Sequence, residues 1–365
     1  MGGAPGSVTC TAHGDPQRLV TPSGTACASN LAARTHRFAL CSCGDWNLTA
    51  PLFTDASSSR PGMVADPNSA ALGTNGNLTT ASGAADIWAR GSLYVAGAKG
   101  IVSHGHLDVG GSLRVGGSLV LLAQRASNVW ADAYAGGDVF GALFVNGTLH
   151  QSPTAVLGPG TTAEATVREP VVVAPPCDCG PTVDVSASVA SAMATNDNAT
   201  VGLSLDRLAN LTTATTLELP CGVFVLSSIA AETPLTLAVH GRALLAVPGD
   251  VVVRGGLTVS IDPGVSLDLL VGGALMTMGA GPVGSTTPAA FRVWVKGAGP
   301  IVFDDRPVVG GIIYAPNAAL SAPKGMEMYG SALAASLSFG DQTTVHFDQG
   351  VLTATCAGPR VDPIP

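Results

Sequence analysis

A six-residue step recurs without interruption between residues 105 and 122: Gly105-His-Leu-Asp-Val-Gly110, Gly111-Ser-Leu-Arg-Val-Gly116 and Gly117-Ser-Leu-Val-Leu-Leu122. Looser copies stand at Gly91-Ser-Leu-Tyr-Val-Ala-Gly97, Gly141-Ala-Leu-Phe-Val-Asn-Gly147 and Arg254-Gly-Gly-Leu-Thr-Val259. Each copy reads as one short strand, because Leu and Val at alternate positions share a face and glycine permits the sharp corner that follows. A strand this short cannot bury a face by itself. Stacked coil on coil, such strands share one continuous core, so the repeat predicts an all-β fold, an elongated β-solenoid or parallel β-helix.

The composition suits that fold. Of 365 residues, 46% are apolar, 46 are glycine and only 12% are charged. This is ample for a large core and poor in the charge that a solvated helical surface uses. The net charge of −8 offers no basic patch, which excludes nucleic acid as a partner. No apolar run is long enough for a membrane-spanning helix. Eight cysteines, Cys10, Cys27, Cys41, Cys43, Cys177, Cys179, Cys221 and Cys356, form an even set, and disulfides in an exported chain are their expected use. The pairing stays open.

Along the chain, residues 1–60 show little periodicity and many turn formers, and are expected to form an irregular, disulfide-held N-terminal cap. Residues 61–365 are expected to form the solenoid. Pro170 to Pro181 reads as a stiff extended connector. Asp184-Val-Ser-Ala-Ser-Val-Ala-Ser-Ala-Met-Ala194 carries Val185, Val189 and Met193 at helical spacing behind an N-capping Asp184, predicting a helical insertion around 184–195. Strand signals resume at Thr216-Leu-Glu-Leu219 and continue past Gly311-Ile-Ile-Tyr-Ala315.

Several phrases carry a resemblance. Phe38-Ala-Leu-Cys-Ser-Cys-Gly-Asp45, Phe53-Thr-Asp-Ala-Ser-Ser-Ser-Arg60, Leu72-Gly-Thr-Asn-Gly76, Pro175-Pro-Cys-Asp-Cys179, Asn196-Asp-Asn198, Gly222-Val-Phe-Val-Leu226 and Gly310-Gly-Ile-Ile-Tyr-Ala-Pro-Asn-Ala318 resemble stretches of uncharacterised exported bacterial, notably myxobacterial, β-solenoid proteins. The Ile-Tyr-Ala-Pro-Asn-Ala step is similar to that of choice-of-anchor surface proteins, and the repeats are more distantly similar to the polymer-forming bactofilins. What the resemblance implies is an exported surface or matrix solenoid, with no catalytic residues to carry over. Met1-Gly-Gly-Ala-Pro-Gly6 is what remains if the lipidated Cys of a lipoprotein is replaced, so a lipid anchor or a cleaved signal peptide is expected upstream.

Candidate chemistry is sparse. Cys41/Cys43 and Cys177/Cys179 are spaced too closely for the usual structural zinc pairs. His104 and His106 lie two apart and, with Asp108, would share a face of an extended segment as metal ligands, or else face solvent as an idle pair. Asp304-Asp305-Arg306 is the densest charge cluster, readable as an acid/base or calcium site of a polysaccharide-active β-helix, or as a turn with local ion pairing. The tryptophans and tyrosines read as packing fillers, with Tyr94 pointing outward. No catalytic residue, metal site or cofactor is assigned. The expected role is a secreted or outer-surface structural subunit that forms homo-oligomers or filaments or adheres to envelope polysaccharide. The alternative is a polysaccharide-binding or polysaccharide-degrading β-helix, and ice binding is a distant third.

Overall fold

The computed structural model describes residues 10, 13–59, 62–81, 85–279, 281–353 and 356. They form a β-solenoid of about 14 turns with 46% of residues in strands. In cross-section the solenoid has three walls. Leu72–Thr74, Leu93–Val95, Leu113–Val115 and Ala133–Ala135 stack in parallel as wall A. Leu78–Thr80, Gly100–Ser103, Ser118–Leu121 and Val139–Phe140 make wall B. Ile87–Ala89, Leu107–Val109, Ser127–Val129 and the start of Leu143–Gln151 make wall C. Successive six-residue phrases are therefore successive walls of one coil. Leu93, Val95, Leu113 and Val115 point into the core, while Tyr94 and Arg114 between them face out. The corners need glycine: Gly100 has φ +80°, and a Cβ there would lie 2.0 Å from the Ser118 carbonyl oxygen.

The first coil along the chain does not stand at an end of the rod. Leu40–Ser42, Trp46–Leu48 and Leu52–Ser57 form a coil in its middle. Above, they pair with Leu72–Thr74, Leu78–Thr80 and Ile87–Ala89. Below, Leu40–Ser42 pairs in parallel with Ala332–Ala334, and Leu52–Ser57 pairs residue for residue with Thr343–Asp348, the last strand among the described residues. From this seam the chain climbs to Thr161–Arg168 at the upper end. Residues 169–184, free of helix and strand, form the connector to the lower half. Coils from Thr215–Leu219 onward then stack back up to the seam. The irregular cap expected over residues 1–60 is thus corrected: residues 40–57 are a central coil. Their strands are three to six residues long, too short to show a period between turn formers.

The described residues before this coil lie against the flank of the rod. They form a hairpin, Arg18–Thr21 with Gly24–Cys27, and helix α1, Ala28–Thr35. Helix α2, Val185–Ala194, is N-capped by Asp184, which accepts from the Ala187 N–H. It packs on wall A strands Gly222–Val225, Ala243–Val247 and Leu267–Val271. Val20 N–H donates to Ser188 Oγ and ties the hairpin to α2. In the lower half, wall A is consequently buried on its outer side too, at Leu244, Ala246, Leu270 and Trp294. Four disulfides, Cys10–Cys221, Cys27–Cys356, Cys41–Cys177 and Cys43–Cys179, take up all eight cysteines. The last two fasten the connector to the central coil.

The covered part of wall A holds an ion pair. Asp268, 0% exposed, accepts from Arg292 Nε (2.7 Å), Arg292 Nη2 (2.6 Å) and Trp294 Nε1 (2.9 Å). Removing one partner strands the other charge away from water. Asp268→Ala is expected to destabilise the protein by ~3–5 kcal/mol in a denaturant titration, and Asp268→Asn by less, since the amide oxygen still accepts. Equal, negligible losses would contradict the burial of this pair.

Candidate functional site

The acidic turn and the paired histidines do not build a site. Asp305 and Arg306 sit at positive φ, 63° and 55°, in an exposed turn. Lys324 Nζ pairs with Asp305 and lies 3.5 Å from Asp304, while Arg306 pairs with Asp341. The hydrogen bond to Asp305 is the first cause that raises the Lys324 pKa. Asp304 and Asp305 are met by Lys324 of the next coil and Arg306 by Asp341 of the coil after it. Among the described residues no cluster of three His, Cys, Asp or Glu side chains could hold a metal ion. His104 and His106 do not share a face, because the chain turns a corner at Gly105, whose Cβ would lie 2.2 Å from the Ala85 carbonyl oxygen. His104 is exposed. His106 is buried, its backbone N–H donating to Asp86 Oδ1 (2.7 Å) and its ring Nε2 3.8 Å from Asp108. The expectation of two outward-facing histidines is corrected accordingly.

What the fold does assemble is a wall. On wall C the outward residues Glu327, Thr344, Phe53, Trp88, Asp108, Asn128 and Phe144 follow one another in register across the seam. Phe53 and Trp88 stack at 4.4 Å, and the Arg125 guanidinium lies 5.8 Å from the Trp88 ring. Beside them His346, stacked on Tyr329 at 4.4 Å, stands between Asp55 (2.6 Å) and Glu327 (3.4 Å). The seam opens here into a cleft of about 470 Å³ lined by Phe53, Asp55, Trp88, Arg90, Asp108 and Gln342. Ring faces are largely taken up by their neighbours in the stack, so the cleft presents ring edges, carboxylates and guanidinium N–H groups.

The same device recurs elsewhere. His240 bridges Glu218 (2.7 Å) and Asp262 (2.9 Å), and its hydrogen bonds to Asp262 and then Glu218 raise its pKa. His150 pairs with Glu169 (2.7 Å) and stacks on Tyr134 at 4.4 Å, whose ring also lies 4.1 Å from the Arg114 guanidinium. In sequence these histidines look scattered. The coil period is the signal that would have found them, since Glu218, His240 and Asp262 are spaced by 22 residues.

Residues 172–353 match a domain of unknown function, DUF7305. The match runs from the connector through the lower half-solenoid to the 3₁₀ turn Gln349–Thr353. The upper half and the central coil, residues 38–168, lie outside it. No curated protein and no solved structure matches the chain.

The seam is thus where the DUF7305 span meets the rest of the chain, and it contains a buried titratable group. Ser331 O–H donates to the Phe38 carbonyl (2.6 Å), so its oxygen accepts from His36 Nδ1 (3.0 Å), which places the imidazole proton on Nδ1. The ring meets Tyr314 edge-on at 6.4 Å. Burial holds the His36 pKa down to about 3 and pushes Tyr314 up to about 12. His36 is therefore neutral when folded and takes up a proton on unfolding below its ordinary pKa of 6.5. Stability should be fully present above that value and fall by up to about 1.4 kcal/mol per pH unit as pH drops toward 3. His36→Gln, which retains a donor for Ser331, should flatten part of that slope in urea titrations run from neutral pH down to about pH 4. An unchanged slope would show that His36 is not what acid attacks.

Proposed function

We propose that this chain is an exported structural rod of the cell surface or extracellular matrix, acting through its walls and carrying no catalysis. The observation that supports this reading most is the set of four disulfides, which ties Cys10, Cys27 and the connector to the solenoid. Such crosslinks persist in oxidising compartments and are rare in a reducing cytosol. No helix among the described residues is long and apolar enough to cross a membrane. Long columns of stacked rings and paired charges make a stiff, patterned surface suited to lateral contact with envelope polymers.

The test begins with thiols. The denatured, unreduced protein should show no reactive thiol, and peptide mapping should return the four pairs given above. Protease shaving and amine-reactive labelling of intact source cells should find the chain outside. Four or more reactive thiols, or a chain confined to the cytosol, would overturn the proposal. The Asp304→Asn, Asp305→Asn double variant should leave surface attachment unchanged, because these carboxylates are already paired with Lys324 of their own chain.

A second reading has one observation in its favour. The seam cleft mixes ring edges with Asp55, Asp108 and Arg90, a set able to hydrogen-bond sugar hydroxyls. If envelope polysaccharide binds there, Trp88→Ala and Arg90→Ala should each release it in a pull-down with insoluble cell-wall glycan. Retention by both variants, or breakdown of the glycan by the parent protein, would count against that reading.

A further inference from the structure

The two ends of the rod are finished differently. At the lower end, residues 197–211 take the place of a further coil on two of the three walls. Asp197 N–H donates to the Val223 carbonyl (2.7 Å), and the Asp197 carboxylate accepts from the Val223 N–H (2.8 Å). Asn198 accepts from the Val225 N–H (2.9 Å) and donates to its carbonyl (2.7 Å). On the next wall Ala230 N–H donates to the Leu208 carbonyl, and Leu211 N–H donates to the Ala230 carbonyl, both at 2.8 Å. At the upper end, Thr161–Arg168 pairs with Leu143–Gln151 on one side, and no described strand pairs with its other side. Its residues are mostly exposed, including Thr166, which lies over the core residue Leu149. Five exposed large apolar side chains lie around this end, Trp130 at 52%, Phe140 at 40%, Phe144 at 42%, Val156 at 53% and Val167 at 38%, against Leu205 in the segment that closes the lower end.

A bare edge ringed by apolar side chains is a template for another strand. We propose that its occupant is the same edge of a second copy, giving a closed end-to-end dimer. The charges favour it. With a two-fold axis through Thr166, the two edge strands run antiparallel, Glu164 of each copy faces Arg168 of the other, and Ala165 faces Val167. Registers centred on Glu164 or Arg168 would instead set like charges against each other. A two-fold axis perpendicular to wall A also exchanges walls B and C. It brings Phe140 and Val156 at the rim of one copy beside Phe144 of the other. Because the same edge meets itself across the two-fold axis, the contact uses up the upper end of both copies and stops at two, where a head-to-tail contact onto the open lower-end strand Thr215–Leu219 would grow a filament. The proposal concerns the upper end alone and stands whether or not the chain is exported.

Sedimentation equilibrium of the oxidised full chain tests it directly. The expected result is a concentration-dependent dimer of twice the 36.3 kDa chain, with small-angle scattering giving about double the rod length. Glu164→Arg and Arg168→Glu should each weaken the dimer roughly tenfold or more, and the combined charge swap should restore it. Arg168 also donates to the Ala155 carbonyl of its own chain (2.6 Å). Thr166→Lys, which sets two ammonium groups on the axis without touching that contact, is therefore the control and should yield monomer. A strict monomer at all concentrations, filaments in place of dimers, a side-by-side dimer of unchanged length, or failure of the charge swap to rescue association would each overturn the proposal.

Discussion

The parallel ladder between Thr343–Asp348 and Leu52–Ser57 is the contact on which the rod depends. Apart from the flanking hairpin, the other parallel ladders of the described solenoid, save one beside it, join strands one coil apart along the chain. This one, with Leu40–Ser42 against Ala332–Ala334, joins the start of the fold to its end. Without it there would be two half-solenoids, each with a raw edge. The two halves share one core through inward residues of the seam coils such as Leu40, Leu52, Ala332 and Val345, all buried. Parallel strands left open at such a point would be prone to pairing with other chains.

The flank elements serve the same contact. Helix α1 packs against Gln349–Thr353, and α2 lies along the lower part of wall A. By covering that wall they convert outward-facing positions into interior ones, which is why Asp268 and Arg292 meet as a bidentate pair out of water. A charge pair in that setting contributes less to net stability than to specificity, because it fits only one arrangement of strands beneath the helix. Asn75, whose amide donates to the Cys177 carbonyl and accepts from the Cys177 N–H, holds the connector to the central coil beside the two adjacent disulfides.

Much of the fold was legible in the sequence, and the reasons are particular. Leu113, Val115 and their copies alternate strictly with outward residues, so strand and face could be assigned without a structure. Asp184 announced α2 by its capping chemistry. The central coil was not legible: Trp46-Asn-Leu48 carries a single alternation and follows a segment dense in turn formers, so nothing local marks it as solenoid. Nor could local pattern show that residue 345 lies beside residue 54. Long-range register of this kind is set by the stacking of whole halves. The wall C stack was missed for the same reason, since Phe53 and Trp88 become neighbours only once the coil between them is closed. His106 misled because a corner at Gly105 replaced the extended segment that the two-residue spacing assumed.

The seam also dictates the order in which the molecule can be completed. Synthesis delivers the central coil early, yet its lower partner consists of the last strands to emerge. Until then the upper half carries an unsatisfied underside, with the whole lower half still to be made. Closing so large a loop late gives the fold a high contact order and a slow final step. Cys27 waits longest, because its partner Cys356 lies 329 residues further on. A nascent chain of this kind therefore exposes a sticky edge for most of its production. Any partner that occupied that edge until the closing strands arrive would keep it from pairing with other chains.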